Sequence, residues 1–193
     1  MNTNAQALFT LLGASNVYVA DISTYESPDF LIDLNCPIVD TTLHQRFDTI
    51  VDVGTLEHVF NVAVALRNIC LMLKDGGNIV LILPCSIAID HGFFSYSPTL
   101  FFDYFCANGF ENISCYLVEG SPYNYERKGK VWQYGRGGGA FRYYQTEALK
   151  LHLWLQKMEL VALSQQHCLS KAATKIITFG KMAYHRQARF LVL

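Results

Sequence analysis

Hydrophobic positions along this chain fall into short runs separated by polar stops. The clearest is residues 47–61, FDTIVDVGTLEHVFN, where the β-branched run Ile50, Val51 and Val53 ends abruptly at Gly54-Thr55 and the polar pair Glu57-His58 follows. A short apolar run of this kind reads as a strand buried in a parallel sheet, and open α/β sheets place their ligands beyond the carboxyl ends of such strands. In NVAVALRNICLMLK, Val62, Leu66, Ile69 and Leu73 recur at four-three-four spacing, one apolar face of a helix, and Asp75-Gly76-Gly77 is expected to end it.

The same punctuation organises the neighbouring segments. Residues 5–12 predict a short helix, 17–21 (VYVAD) a buried strand ending in an acid, and 30–34 (FLIDL) a second short strand with an acid near its end. Residues 78–84 (NIVLILP) predict a fully apolar strand closed by Pro84. Ser97-Pro98 supplies a cap and a first-turn proline for a helix whose buried face is Leu100, Phe101, Tyr104 and Phe105, with Asn108-Gly109 as its stop. Residues 113–119 predict another strand. Alternation of strand and helix over 17–119 predicts an α/β, Rossmann-like fold, a mostly parallel sheet with helices on both faces. The whole chain, 1–193, is expected to be one domain with its core in 5–119. Residues 120–165 are expected to form a loop and helix insertion, with the helix over 146–160, and 175–182 a last strand. The tail HRQARFLVL mixes basic and apolar groups and receives no assignment.

Composition narrows the picture. At 193 residues, 51% hydrophobic and 16% charged, the chain can bury a substantial core and is not of the disordered class. A formal net charge of −1 gives no electrostatic reason to expect nucleic acid or an anionic membrane as partner. No apolar run approaches the roughly 18 residues of a spanning helix, and the first residues lack the basic start of a signal peptide. Six scattered cysteines with no CxxC pair are expected to be free thiols of a cytoplasmic protein, most of them in the core.

Taken in order, five landmarks resemble the class I S-adenosylmethionine-dependent methyltransferases. VYVADIS places Asp21, followed by Ile22, where the family's second strand ends in an acid that accepts hydrogen bonds from the ribose hydroxyls. FLIDLN places Asp33 where the family has a polar side chain near the adenine amino group, with Leu34 beside the ring. IVDVGTLEHV matches the loop after the fourth strand, where Gly54 and Thr55 would let the backbone approach the methionine part of the cofactor. LMLKDGGNIVLILP is similar to the family's LLKPGG turn and fifth strand, with Asp75 in place of the usual proline. HGFFSYSPTLFFDYFCANGF resembles the following helix and its NGF ending. The resemblance implies S-adenosylmethionine as cofactor and a small-molecule or glycan-type acceptor. His58 and His91 are then the candidate catalytic residues, because an imidazole suits proton removal from a hydroxyl or amine near neutral pH.

One departure stands out. The family's glycine-rich loop and the strand before it should precede residues 5–12, and no first strand is found there. Three arrangements are compatible with this: an incomplete amino-terminal part, a segment of this chain or of a partner filling the gap (which would make a homodimer natural), or a degenerate relative that no longer binds cofactor. Gly135-Arg136-Gly137-Gly138-Gly139 reads as a surface loop rather than a displaced glycine loop, since no acid precedes it. Glu57, His58 and His91 also match three of the ligands of metal-dependent 2′-O-methyltransferases that modify small RNAs. Gly54 stands where that group has its first glutamate, so no metal is expected. Two further readings are a non-catalytic methyltransferase-like module presenting Tyr123, Tyr125, Trp132, Tyr134, Tyr143 and Tyr144 to a partner, and a nicotinamide enzyme. The last is disfavoured because no GxGxxG follows a strand.

Overall fold

The computed structural model describes residues 3–11, 13–86, 90–118, 131–134, 158–164 and 188–193. Their order is α1 (Thr3–Leu11), β1 (Asn16–Asp21), β2 (Phe30–Leu31), β3 (Phe47–Val53), α2 (Val62–Met72), β4 (Leu73–Ser86), α3 (Pro98–Ala107), β5 (Ser114–Val118), β6 (Val131–Tyr134), β7 (Met158–Ser164) and β8 (Arg189–Val192). All eight strands belong to one sheet in the order β2-β1-β8-β3-β4-β7-β5-β6. The first five are mutually parallel, β7 runs antiparallel between β4 and β5, and β6 pairs antiparallel on the far edge. This is a Rossmann-like α/β architecture.

The gap expected at the centre of the sheet is filled from the tail that received no assignment. Tyr18 pairs with Leu191 on one side of β8, and Ile50 pairs with Leu191 on the other. Phe190, Leu191 and Val192 are all buried, as a strand covered on both faces requires. Phe190 and Val192 pack with Val51, Val80 and Phe9 of α1 on one face. Leu191 joins Ile50, Leu81 and the α2 residues Ala65, Leu66 and Ile69 on the other. The helices thus divide between the two faces. At the foot of β8, the Arg189 amide donates to Asp48, whose carboxylate also holds Lys74 at 2.8 Å. The absence of a first strand is corrected accordingly: its place is taken by residues 189–192, and the structural reason for a partner strand falls away.

Other expectations shift in detail. α2 ends at Met72, and Leu73, already extended, begins β4, so Asp75-Gly76-Gly77 lies inside an irregular opening of that strand rather than closing the helix. The tight fit there is visible at Gly77, where a Cβ would stand 2.8 Å from the Leu73 side chain. α3 starts as expected, Ser97 accepting from the Thr99 amide ahead of Pro98. Its buried face is Phe101, Phe102 and Phe105, with Leu100 exposed and Tyr104 half-buried. The stretch 120–165 contributes two strands to the sheet. Met158–Leu160 belong to β7, not to a helix, because Leu160 and Val161 pair with Leu83 and Ile82. The expected strand at 175–182, the glycine loop at 135–139 and Tyr123, Tyr125, Tyr143 and Tyr144 lie outside the described residues.

Candidate functional site

The carboxyl ends of β1, β2, β8 and β3 open on one side of the sheet, and a cavity of about 140 Å³ lies there. It is lined by Asp21 and Ile22 after β1, by Asp33, Leu34 and Asn35 after β2, by Thr55, His58 and Val59 after β3, and by Leu193 after β8. Five residues selected from sequence for a cofactor (Asp21, Ile22, Asp33, Leu34 and Thr55) therefore line one cavity. Gly54 sits beside it with φ +85°, a backbone conformation that L side chains rarely adopt.

Each acid is tied into its own loop. Asp21 Oδ1 accepts from the Ser23 amide at 2.6 Å. Asp33 Oδ1 accepts from both the amide and the side chain of Asn35, at 2.9 and 3.0 Å. Those bonds, the backbone one first, hold the Asp33 carboxyl below its ordinary range. The loop carrying it is braced from beneath by Asn68, fully buried on α2, which donates to the carbonyls of Leu34 and Cys36 and accepts from the Ile38 amide. A polar residue on the apolar face of a helix was the sequence signal for this brace, and sequence reasoning passed over it.

The loop after β3 is shaped by a second buried polar residue that was missed. Asp52, with no exposure, accepts from the Thr55 amide at 2.8 Å and the Leu56 amide at 3.2 Å, turning the chain at the strand's end. Burial pushes its carboxyl up to about 7, against the pull of those two amides. The signal was an acid inside an otherwise apolar run, IVDV.

Glu57 and His58 follow on a single 3-10 turn, Leu56–His58. The loop 90–96 folds over them. The amides of Phe93 and Phe94 donate to the Glu57 carbonyl at 2.6 and 3.3 Å, and the Tyr96 hydroxyl donates to the Leu56 carbonyl at 2.7 Å. Gly92, at φ +67°, lies so close that a Cβ would stand 2.8 Å from the Glu57 carbonyl oxygen. Tyr96 is buried and ties these loops together. The result brings His58 and His91 together, ring centroids 5.1 Å apart, with His91 Nε2 3.4 Å from Glu57 Oε1. Both imidazoles are exposed, while Glu57 is 2% exposed. Glu57 was seen in the sequence as part of a polar pair, but its burial was not legible there. Beside this cluster, Phe60 and Phe93 are exposed and meet edge to face at 6.0 Å.

The arrangement can do two things chemically. The cavity offers two carboxylates, backbone groups and apolar wall to a nucleoside-like ligand. The histidine pair at its rim can take a proton from a group held nearby.

No family model and no curated protein matches this chain. Among solved structures it is similar to a SAM-dependent methyltransferase, possible histamine N-methyltransferase, from Thermotoga maritima, with a TM-score of 0.51 and 15% identity over 84% of this chain and 87% of that one. It is also similar to the CMeT domain of the citrinin polyketide synthase, with a TM-score of 0.49 and 12% identity over 85% of this chain and 42% of that one. At this identity the likeness to the Thermotoga protein concerns the fold: the two share a Rossmann-like α/β architecture. Among the described residues, no helix is long and apolar enough to cross a membrane.

Proposed function

We propose that this chain binds S-adenosylmethionine in the cavity after β1, β2, β8 and β3 and transfers its methyl group to a small-molecule or sugar-bearing acceptor. The observation that carries this reading is the convergence of Asp21, Ile22, Asp33, Leu34 and Thr55 on one cavity at the carboxyl edge of a methyltransferase-like sheet. Asp21 accepts from the ribose hydroxyls, and Asp33 with Leu34 holds the adenine. At about 140 Å³ the cavity is smaller than a pocket for a whole drug-sized ligand, so it seats the nucleoside end, with the remainder lying over Gly54 and Thr55. When bound, the cofactor supplies a methyl group on a sulfonium. The protein's part is to bind and align the acceptor and to remove its proton. His58 and His91, at the cavity rim, carry that proton.

The test is calorimetric titration of the folded protein with S-adenosylhomocysteine. Micromolar binding is expected, and Asp21→Ala should weaken it by about one to two orders of magnitude, or roughly 1.5–3 kcal/mol for lost charge-assisted hydrogen bonds. Unchanged affinity in a folded variant would overturn the ribose assignment. Once an acceptor is in hand, His58→Ala and His91→Ala should lower kcat with little change in cofactor affinity. If neither variant lowers it, the proton-transfer role is wrong.

A further inference from the structure

We propose that Phe60 and Phe93 bind the acceptor, and that the acceptor carries a flat aromatic ring whose hydroxyl or amino substituent reaches His58 and His91. This rests on the methyl-transfer reading of the site and narrows its acceptor. Two loops build the arrangement in parallel. His58-Val59-Phe60 and His91-Gly92-Phe93 meet imidazole to imidazole at 5.1 Å and phenyl to phenyl at 6.0 Å. Val59 is buried on extended backbone, so His58 and Phe60 leave the chain on the same side, and both are exposed. A molecule held against the imidazoles therefore lies beside the phenyl rings.

Phe60 is 75% exposed and Phe93 66%, whereas every other phenylalanine among the described residues is buried or half-buried. Exposed apolar side chains are ordinary when scattered singly. These two are paired, and they are anchored. Phe60 also meets Phe94 at 6.3 Å, Phe94 meets Tyr96 at 6.2 Å, and Tyr96 meets the buried Phe101 at 5.4 Å. A file of rings thus runs from the surface into the core. The Phe93 amide is held by the Glu57 carbonyl at 2.6 Å. Rings fixed in this way lose little freedom when a ligand arrives, which is what a preorganised binding surface requires.

The chemistry of the pair selects the ligand. The two ring planes cross at 83° and form a corner. A third flat ring laid against one phenyl face turns its edge to the other face, and both contacts are favourable for aromatic quadrupoles. A phenyl ring has no hydrogen-bonding group, so a sugar pressed into the corner would desolvate hydroxyls without replacing their partners. Two phenylalanines offer at most about 300–500 Å² together, less than the roughly 800 Å² that a partner protein ordinarily covers. The size suits one small ring system, and the adjoining imidazoles supply the polar end that such a ring needs for a hydroxyl or amine.

The probe is 2-naphthol, with cyclohexanol and methyl glucoside as comparators, each titrated by NMR into the full chain without cofactor. Saturable binding of 2-naphthol is expected, with ring-current shifts on the imidazole protons of His58 and His91. The two comparators should bind about tenfold more weakly or less, since neither can stack. Phe60→Ala and Phe93→Ala should each weaken 2-naphthol about three- to tenfold, the range of one aromatic contact. Phe60→Leu, which keeps apolar bulk without a ring, should weaken it nearly as much, and Leu11→Ala on α1 should leave it unchanged. Absence of binding by the folded parent, binding indifferent to both alanine variants, full affinity in Phe60→Leu, equal affinity for a comparator, or no shift at His58 and His91 overturns the proposal. A dimer of the parent that is lost in Phe60→Ala would also overturn it, by assigning the rings to a second copy of the chain. S-adenosylhomocysteine is titrated separately and reports on the cofactor cavity, so failure of the methyl-transfer reading is distinguishable from failure of this one.

Discussion

Phe190→Ala is the substitution that tests the centre of the sheet. Phe190 is 1% exposed, pairs with Val17 on one side and Thr49 on the other, and stacks on Phe9 of α1 at 6.3 Å. Truncating a phenylalanine in such a position costs about 3–5 kcal/mol, the sum of lost transfer energy and the cavity left behind. In a domain of this size each kcal/mol lowers the melting temperature by about 2–4 °C, so a fall of roughly 6–20 °C is expected. Thermal unfolding followed by circular dichroism, checked against the urea midpoint, reads the change directly. The control is Leu11→Ala at the end of α1, where the side chain is 85% exposed and truncation should move stability by no more than about 0.5 kcal/mol. If residues 189–192 were a surface tail, Phe190→Ala would behave like that control. A shift under about 2 °C would refute the insertion of this strand between β1 and β3.

Burial raises the Asp52 carboxyl to about 7, above its unfolded value near 3.9, so the folded protein binds more protons than the unfolded chain between those limits. The stability Asp52 contributes is therefore full below about pH 4 and lost as pH rises through 7. Urea midpoints should fall between pH 5 and 8, and Asp52→Asn should flatten that fall; an equal slope in the variant refutes the linkage. Asn68→Ala removes one acceptor and one two-armed donor from the loop 34–38, leaving one buried and two part-buried backbone groups without that partner. A loss of about 2–4 kcal/mol is expected by denaturation. Weaker S-adenosylhomocysteine binding by calorimetry should accompany it, since Asp33 and Leu34 ride on that loop; unchanged affinity would detach the brace from the site.

What the sequence made legible was local. The strand 47–53, the helix start at Ser97-Pro98 and the acids at 21 and 33 are set by neighbours a few residues away, and they stand where periodicity and caps put them. His58 and His91 were read as candidates from their places after two strands, and they do meet. Glu57 was harder, because whether a carboxylate after a strand is buried depends on a loop 35 residues later that covers it: Phe93 and Gly92 lie against residue 57. β7 was misread for a related reason. Its apolar residues suit a helix as well as a strand, and pairing with β4 and β5 decides between them. The least legible element was β8. A four-residue apolar run after basic residues carries no local sign that it belongs between two strands read much earlier, and the bond from the Arg189 amide to Asp48 spans 141 residues.

That distant strand also sets the dimensions of the site. The cavity draws Asp21 from β1 and Thr55 and His58 from beyond β3, and these strands are not neighbours. With β8 between them, β1 and β3 stand two strand spacings apart, about 9–10 Å. Without it they would either close to one spacing, about 5 Å, or separate with unpaired edges. In the first case the two cavity walls meet and no ligand fits between them. In the second, Leu193 no longer floors the cavity and Asp21 loses its fixed distance from Thr55. Every residue that a local motif identifies could remain in place along the sequence while the site itself disappeared. The landmarks name residues that line the cavity, and a strand outside all of them sets that cavity's width. Loss of cofactor binding in parallel with stability as Phe190 is truncated would be the signature of that dependence.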